Sequence, residues 1–484
     1  MLDRPIASQS MLTWEQAKAV AEQIFFKHFG EHLKDVEIQV LQGSWEGKTY
    51  EKMSDTYFLS VNYLRGDVGN KLWQKLSQAL GEEVTKTNFK GALERAVLLF
   101  NSPLYFMVDT SLAISTSSLE SLNLPDGAVS LNSPLYVIRD GVESVCYQAI
   151  AKPGALVRIK APRLMGKTSL MTRILNWGQF LNYQTVYLDL QSVERGIISD
   201  LDRFLRWLCF RVGKELALEN QLKDRWDTDI LGSNDNCTVY FEEYLLPANH
   251  YPLLLTLDNV DRIFPFAEVV EDFLGMLRSW HERGKVSSHW KQLRLVIAHS
   301  TECYLPLDLN QSPFNAGVPV ALLEFNAIQV LSLARMHGLL WEESAIEALM
   351  SMVGGHPYLV RLALYEISSG QITLERLLAE AATEAGIYSN HLRRHLEILQ
   401  KVPELAKAFQ QVVTSSEPVE LDSMQIYKLH SLGLVQQQNN QVVPRCNLYR
   451  AYFRRVLSAW HWYRLARSYK RCNTRGSTNQ ANLE

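Results

Sequence analysis

Residues 155–169, ALVRIKAPRLMGKTS, constrain this chain more than any other stretch. Leu156 to Ile159 is a short apolar and β-branched run that reads as a buried strand. A turn follows at Ala161, Pro162 and Arg163, then Leu164, Met165 and Gly166-Lys167-Thr168-Ser169, and a helical pattern to about Leu181. Strand, loop, GKT and helix, in that order, is the layout of a phosphate-binding loop. Such a loop aims consecutive backbone N–H groups at one point, and the helix N-terminus adds its positive dipole end. In that layout Lys167 brings a positive charge to the β/γ-phosphates of ATP, and the Thr168 hydroxyl sits on Mg2+. One departure is visible: Ala161 stands where the motif usually has its first glycine, and alanine has less backbone freedom.

The sequence around that loop alternates strand and helix signals, as a parallel α/β sheet requires. Thr185–Leu190 reads as a second strand, followed by an amphipathic helix at about 199–216. Pro252–Asp258, PLLLTLD, is a third, buried strand ending in an acid. A carboxylate at the end of a strand beside the phosphate loop is placed to hold the Mg2+ water shell, so Asp258 is the second expected metal residue with Thr168. An aspartate there also serves as a turn former. Leu293–Ala298 is a fourth strand, and Ser300 and Thr301 behind it offer polar groups to a γ-phosphate, or a helix cap. The residue after Asp258 bears on turnover. Phosphate-loop ATPases with an additional central strand usually carry Glu there, but this chain has Asn259, and an amide orients water without taking its proton. Asp261 is a weaker candidate base. Nucleotide binding is therefore expected more firmly than hydrolysis.

The flanks are helical. Thr13 is set to cap a first helix, and further helical patterns fall at about 34–46, 49–56, 60–80 and 87–100. The middle ones have helix-turn-helix spacing, with a turn around Tyr57 to Leu59. Leu64, Val68, Leu72 and Leu76 form a stripe for the core. Asn62, Arg65, Asn70, Lys71, Gln74 and Lys75 then face mostly away from it and are of types that contact DNA phosphates and base edges. A solvated face of a protein-interaction bundle is the alternative, and Asp67 dilutes the charge. Residues 102–132 are rich in Ser, Thr, Asn and Pro without a clear period and read as a linker with some ordered turns. Residues 325–400 are helical again, broken by Gly354-Gly355-His356-Pro357, which reads as a helix corner or as a lid corner bringing His356 to the nucleotide. Residues 401–460 hold two helices and two short strands around Asn439-Asn440, a hairpin signal, which together suggest a winged helix. The polar residues 461–484 read as a partly disordered tail.

Composition excludes several classes. The 484 residues carry a net charge of -3, which argues against a nucleic-acid coat, and 47% hydrophobic content fits a folded chain of several domains. No apolar run approaches the roughly 20 residues of a membrane span, and the N-terminus lacks a signal-peptide core. The six cysteines are scattered without a CxxC pair and read as free thiols in a reducing cytoplasm.

Residues 133–458 resemble an AAA-like domain family common in cyanobacteria and related bacteria, through SPLYVIRDGVE, ALVRIKAPRLMGKTS, LLLTLDNVDRIF, LRLVIAHSTE, VGGHPYLVRLALY, GIYSNHLRRHL and VVPRCNLYRAYF. That family resembles the STAND branch of phosphate-loop ATPases, which implies a core at 133–324, a helical lid at 325–400 and a winged helix at 401–460. It also implies Val137 and Arg139 near the adenine-side loop, Ser300 and Thr301 at a first sensor, and His356-Pro357 at a lid motif. In this family's loop Ala161-Pro162 is the ordinary form. Residues 11–100 resemble the N-terminal helix-turn-helix domain of vWA-MoxR-associated proteins, through LQGSWEGKTYEKM and VGNKLWQKLSQALGEEVTKTNFKGALER. The expectation is a multidomain chain of helix-turn-helix (1–101), linker (102–132), α/β core, lid and winged helix. Its expected function is an ATP- and Mg2+-dependent signalling switch of bacterial signal transduction or conflict response. It would sense ATP against ADP, recruit a protein partner or DNA, and form a nucleotide-dependent homo-oligomer away from membranes. A poorly hydrolysing adaptor and an ATP-dependent transcription regulator are the competing readings.

Overall fold

The computed structural model describes residues 14–29, 31, 33–93, 124–139, 141–248, 251–302 and 316–458. Thr13, the end of the 87–100 helix, most of the linker and the tail lie outside the described residues. The chain divides into two units at residues 117 and 118.

The N-terminal unit is helical where described. Helices Trp14–Phe29, Asp35–Trp45 and Tyr50–Tyr57 precede a π-wound turn, Tyr63–Gly69, that runs directly into helix Asn70–Leu80. Thr49 caps the third helix, its Oγ1 accepting from the Lys52 N–H at 3.4 Å. Phe58 ends that helix in the left-handed region, with φ 54°. The expected stripe is buried: Leu64, Leu72 and Leu76 are fully enclosed and Val68 nearly so. The π winding places Trp73 against the core as well, where its Nε1 donates to the Tyr50 hydroxyl at 3.0 Å.

The second unit is built on a five-stranded parallel sheet. Its strands are β1 (Leu156–Ala161), β2 (Gln184–Asp189), β3 (Leu253–Asp258), β4 (Leu293–Ser300) and β5 (Val318–Ala321), in the order β2-β3-β4-β1-β5. Parallel strands are covered on both faces, which is why β3 is an unbroken apolar run with every residue buried. Helices Val142–Ala151, Lys167–Phe180, Leu201–Glu215 and Ala267–Arg283 surround the sheet. β4 lies between β1 and β3, so the strand that ends in Asp258 is one removed from the phosphate-loop strand. The fifth strand went unread in the sequence because Pro319 lies within its four residues, although an edge strand tolerates proline.

Beyond the sheet the chain runs through helices Ala327–Met336, Glu343–Val353, Pro357–Ser368, Leu374–Glu380, Ser389–Lys401, Pro403–Thr414 and Ser423–Ser431. A small antiparallel sheet follows, made of β6 (Val419–Glu420), β7 (Val435–Gln438) and β8 (Gln441–Pro444) in the order β6-β8-β7. Asn439, at φ 55°, turns the hairpin between β7 and β8. A last helix covers 447–458. One apolar core runs continuously from Leu333 and Leu349 through Tyr388 to Phe409, Val442 and Phe453, so the helices after residue 325 and the C-terminal sheet are packed as one body. No described helix is long and apolar enough to cross a membrane.

Candidate functional site: a cavity over the phosphate loop

β1 delivers the chain to a tight turn, and helix Lys167–Phe180 leaves it. Gly166 takes φ 94°, and a Cβ there would stand 3.2 Å from the Arg139 guanidinium, so glycine is required at this position. Ala161 is the last residue of β1 and has no positive φ. The loop's left-handed residues are Leu164, at φ 62°, and Gly166, so alanine at 161, within the strand, carries no strain.

Lys167 is buried, its Nζ donating to the carbonyls of Ala161 at 3.1 Å and Pro162 at 2.8 Å. Burial lowers the proton affinity of this ammonium, and the nearby carboxylates of Asp261, Glu302 and Asp258 oppose that shift. Thr168 Oγ1 donates to Asp258 Oδ2 at 2.6 Å. Tyr187 Oη, on β2, donates to the same oxygen at 3.1 Å. Asp258 is fully buried, which raises its pKa, while the donors Thr168, the Asn259 N–H and Tyr187 pull it back. The helix that follows the loop thus reaches across the sheet to β3 although β4 intervenes.

A cavity of about 440 Å3 lies over this loop. Arg163, Leu164, Gly166, Lys167, Thr168 and Ser169 form its floor, and Asn259 lies at its edge. Val137 and Arg139 line one wall. Arg139 donates from Nη2 to the Met165 carbonyl at 2.7 Å and lies 5.1 Å over the Phe325 ring. Pro357, Tyr358, Arg361 and Arg394 close the cavity from the helices beyond the sheet.

Several expected residues lie elsewhere. Asp261 does not line the cavity: its Oδ1 accepts from the Ser300 N–H at 2.7 Å, and its other oxygen is 3.8 Å from Arg163. Ser300 is buried and accepts from the Glu302 N–H at 3.2 Å. Thr301 donates to the Ser431 carbonyl at 2.7 Å, tying the end of β4 to the C-terminal helices. His356 is also outside the cavity, a correction to its expected place beside the nucleotide. It is buried as the cap of helix Pro357–Ser368, accepting from the Leu359 N–H at 3.5 Å, and only Pro357 of that pair faces the cavity. His356 instead adjoins His391, with rings 5.4 Å apart, and His395 lies 4.7 Å further on. Burial holds all three imidazoles far below their ordinary pKa, His391 at about 3.

Other residues of the site were not singled out from the sequence. Pro125, Gly127, Ala128 and Val129, within the expected linker, line the cavity. They are strapped to the loop helix: the Val129 N–H donates to Ser169 Oγ at 2.9 Å, and Arg173 donates to the carbonyls of Val129 and Ser130 at 3.0 Å each. Glu302, nearly buried, gathers two cationic walls, accepting from the Arg163 N–H at 2.9 Å and from Arg394 Nη2 at 2.7 Å. Charged residues just after a strand were the available signal for Glu302; its partner Arg394 is 92 residues away and carries none.

In the N-terminal unit Asn62, Asn70, Lys71 and Gln74 are exposed, and Lys75 is half-buried. Arg65 is engaged by Glu51 at 2.8 Å, and Lys75 lies 3.6 Å from Glu31 and 5.6 Å over the Phe25 ring. Two of the six expected DNA-contacting residues are thus already paired within the unit.

The model for the AAA-like domain family matches residues 124–455, and that for the vWA-MoxR associated protein N-terminal HTH matches residues 12–96. No curated protein matches the chain. Among solved structures, a Walker-type ATPase of Pyrococcus abyssi is 13% identical with a TM-score of 0.48, covering 66% of this chain and 96% of its own. The ORC2 protein of Aeropyrum pernix, solved as ADPNP–ADP complexes, is 14% identical with a TM-score of 0.42, covering 73% and 99%. The replication initiator DnaA bound to AMPPCP and single-stranded DNA is 12% identical with a TM-score of 0.37, covering 70% and 92%.

Proposed function

Because this chain belongs to the AAA-like domain family over residues 124–455, we propose that it is a nucleotide-operated switch that binds ATP with Mg2+ in the cavity over residues 161–169. The observation that carries this reading is the buried Thr168–Asp258 hydrogen bond at 2.6 Å, beside Lys167 and at the floor of a cavity walled by three parts of the second unit. Lys167 turns from its two loop carbonyls to the β/γ-phosphates, at the N-terminal end of its own helix. The hydroxyl and carboxylate of Thr168 and Asp258 are hard oxygen donors of the kind Mg2+ takes, so the pair fits that ion. The ion's contribution when bound is to neutralise phosphate charge. Val137, Arg139, Phe325 and Tyr358 form the wall that receives the base.

Switching follows from where the walls come from. The floor belongs to the sheet, while Tyr358, Arg361 and Arg394 belong to the helical body packed with the C-terminal strands, which we assign as lid and winged helix. A ligand touching both bodies stabilises one arrangement by its difference in affinity for the two. A STAND-type signalling role, with the N-terminal helix-turn-helix as output on DNA or a protein, is consistent with this arrangement and with the family of that domain.

Asn259 favours a second reading, an adaptor that keeps its nucleotide and hardly hydrolyses it, because no carboxylate lines the cavity at that position. Nucleotide released from the purified protein by acid, together with ATP binding to wild type and Lys167→Ala, tests the first claim. ATP or ADP in wild type and a loss of at least about 10-fold in affinity in the variant are expected, since a charge-assisted phosphate contact contributes roughly 1.5–3 kcal/mol. Equal affinity in both proteins would remove the nucleotide site. ATP retained by wild type alone, with turnover no faster than that of Lys167→Ala, would favour the adaptor. Salt-sensitive mobility shifts with the full chain test the DNA output.

A further inference from the structure

Two strand ends in this site carry carboxylates side by side. β2 and β3 pair in register, with Asp189 opposite Asp258. Asp258 is accounted for by Thr168 and Tyr187; Asp189 is not part of the cavity lining. Between them stands Asn259, in the left-handed region at φ 54°. Its backbone N–H donates to Asp258 Oδ1 at 2.8 Å, and its side-chain Nδ2 donates to Asp189 Oδ1, also at 2.8 Å. Asp189 Oδ1 is itself held by the Gln191 N–H at 2.8 Å, at the start of the short turn Leu190–Ser192.

This geometry fixes which way the Asn259 carboxamide points. An ionised carboxylate only accepts hydrogen bonds, so the atom of Asn259 that meets Asp189 must be nitrogen. Asn259 lines the cavity, so its free oxygen is what it has left to offer there. Without Asp189 the amide could flip and present a donor instead.

We propose that Asp189 is a positioning residue that locks the Asn259 carboxamide with its oxygen toward the cavity, so that position 259 holds a water by accepting from it beside a bound nucleoside triphosphate. The proposal rests on the nucleotide reading of the cavity and deepens it. A water that donates to Asn259 Oδ1 is oriented with a lone pair toward the terminal phosphate. The amide oxygen does not take its proton near neutral pH, so the pair gives orientation without general-base assistance. The site is thereby built for long retention of the triphosphate and slow turnover.

The test transposes the two groups. In Asp189→Asn/Asn259→Asp the amide at 189 donates to the carboxylate at 259, giving up the acceptor that the Gln191 N–H meets, and the other carboxylate oxygen at 259 faces the cavity. That carboxylate takes a proton from the water as the water oxygen bonds to the terminal phosphorus and the bridging P–O bond breaks, leaving the diphosphate and inorganic phosphate. Turnover of Mg-ATP by the double variant is expected to exceed wild type by at least about 10-fold, toward the roughly 10²–10⁴ that a positioned base contributes. A second readout is independent of turnover. Asp189→Ala and Asp189→Leu, neither of which can accept from Asn259 Nδ2, should bind a fluorescent ATP analogue within about twofold of wild type. They should bind ADP with aluminium fluoride, which mimics the transferring phosphoryl group with its in-line water, at least about fivefold more weakly.

A double variant no faster than wild type overturns the proposal. So does an equal loss of affinity for both ligands in the Asp189 variants, the mark of a residue that only supports the fold. Failure of wild type itself to bind the ATP analogue would instead overturn the nucleotide reading, which keeps the two failures apart.

Discussion

Thr168 and Asp258 are 90 residues apart in the chain and on elements separated by β4, yet the threonine hydroxyl meets the aspartate carboxylate at 2.6 Å inside the protein. The contact joins the start of the loop helix to the end of β3. It predicts that Mg2+ sensitivity of nucleotide binding is lost when either partner is changed. Wild type should bind ATP at least about 10-fold more tightly with Mg2+ than with EDTA, and Thr168→Val and Asp258→Asn should bring that ratio near one. Titration of a fluorescent ATP analogue in both buffers is the check. Thr168→Val also leaves a buried carboxylate short of a donor, a loss of about 1–3 kcal/mol in stability by urea unfolding.

Glu302 offsets the charge of two arginines that line the cavity. It holds the Arg163 backbone and the Arg394 guanidinium, with the Arg163 guanidinium 3.9 Å away. Glu302→Gln should therefore tighten ATP binding several-fold at low salt, with the gain shrinking as ionic strength rises. Both arginines are partly exposed, so screening limits the stability loss to about 1–2 kcal/mol. Tighter binding together with a lower melting temperature is the expected pair of results; weaker binding would mean the arginines are needed where Glu302 holds them.

At Gly355 there is no room for a side chain. An added Cβ would fall 1.9 Å from the Phe325 carbonyl oxygen, and the Phe325 N–H donates to the Gly355 carbonyl at 2.8 Å. Gly355→Ala must push these two backbones apart, at a cost of about 1–3 kcal/mol. Phe325 carries the cavity wall under Arg139, so nucleotide affinity should fall with stability. Thermal melts with and without ATP would show both.

The buried histidines make the fold acid-sensitive. His391 stays neutral in the folded protein down to about 3, first because of burial and then because Arg394 is near, whereas an exposed imidazole titrates near 6.5. The unfolded chain therefore binds more protons in between, and stability falls as pH drops from about 6.5 toward 3, by up to about 1.4 kcal/mol per pH unit for this residue. His356 and His395 act in the same direction. His395 Nδ1 has no hydrogen-bond partner, so His395→Leu removes a titrating group at little cost in bonding. Urea midpoints between pH 7 and 5 should decline less steeply in the variant than in wild type.

Local signals in the sequence were enough for four of the five strands of the parallel sheet and for the loop. The runs ending at Ala161, Asp189, Asp258 and Ser300 are apolar because both faces of a parallel sheet are covered, and such runs stand out. What stayed hidden depends on distance along the chain. Nothing near Asn259 shows that Asp189 will meet it from 70 residues away, and nothing near Glu302 announces Arg394. The His356 expectation failed because Gly-Gly-His-Pro specifies a helix start but not the side to which its first side chain turns. Pro125 to Val129 escaped notice because an irregular strap has no period; its backbone groups are satisfied by Ser169 and Arg173 instead of by a ladder.

That strap sets where the half of the molecule that carries the phosphate loop begins. A shortened protein starting at Ser133, where regular sequence resumes, would lose the backbone that Ser169 and Arg173 hold and uncover one side of the cavity. The smallest independent piece should start ahead of Leu124, and a shorter one is expected to aggregate or to come out of purification without its ligand.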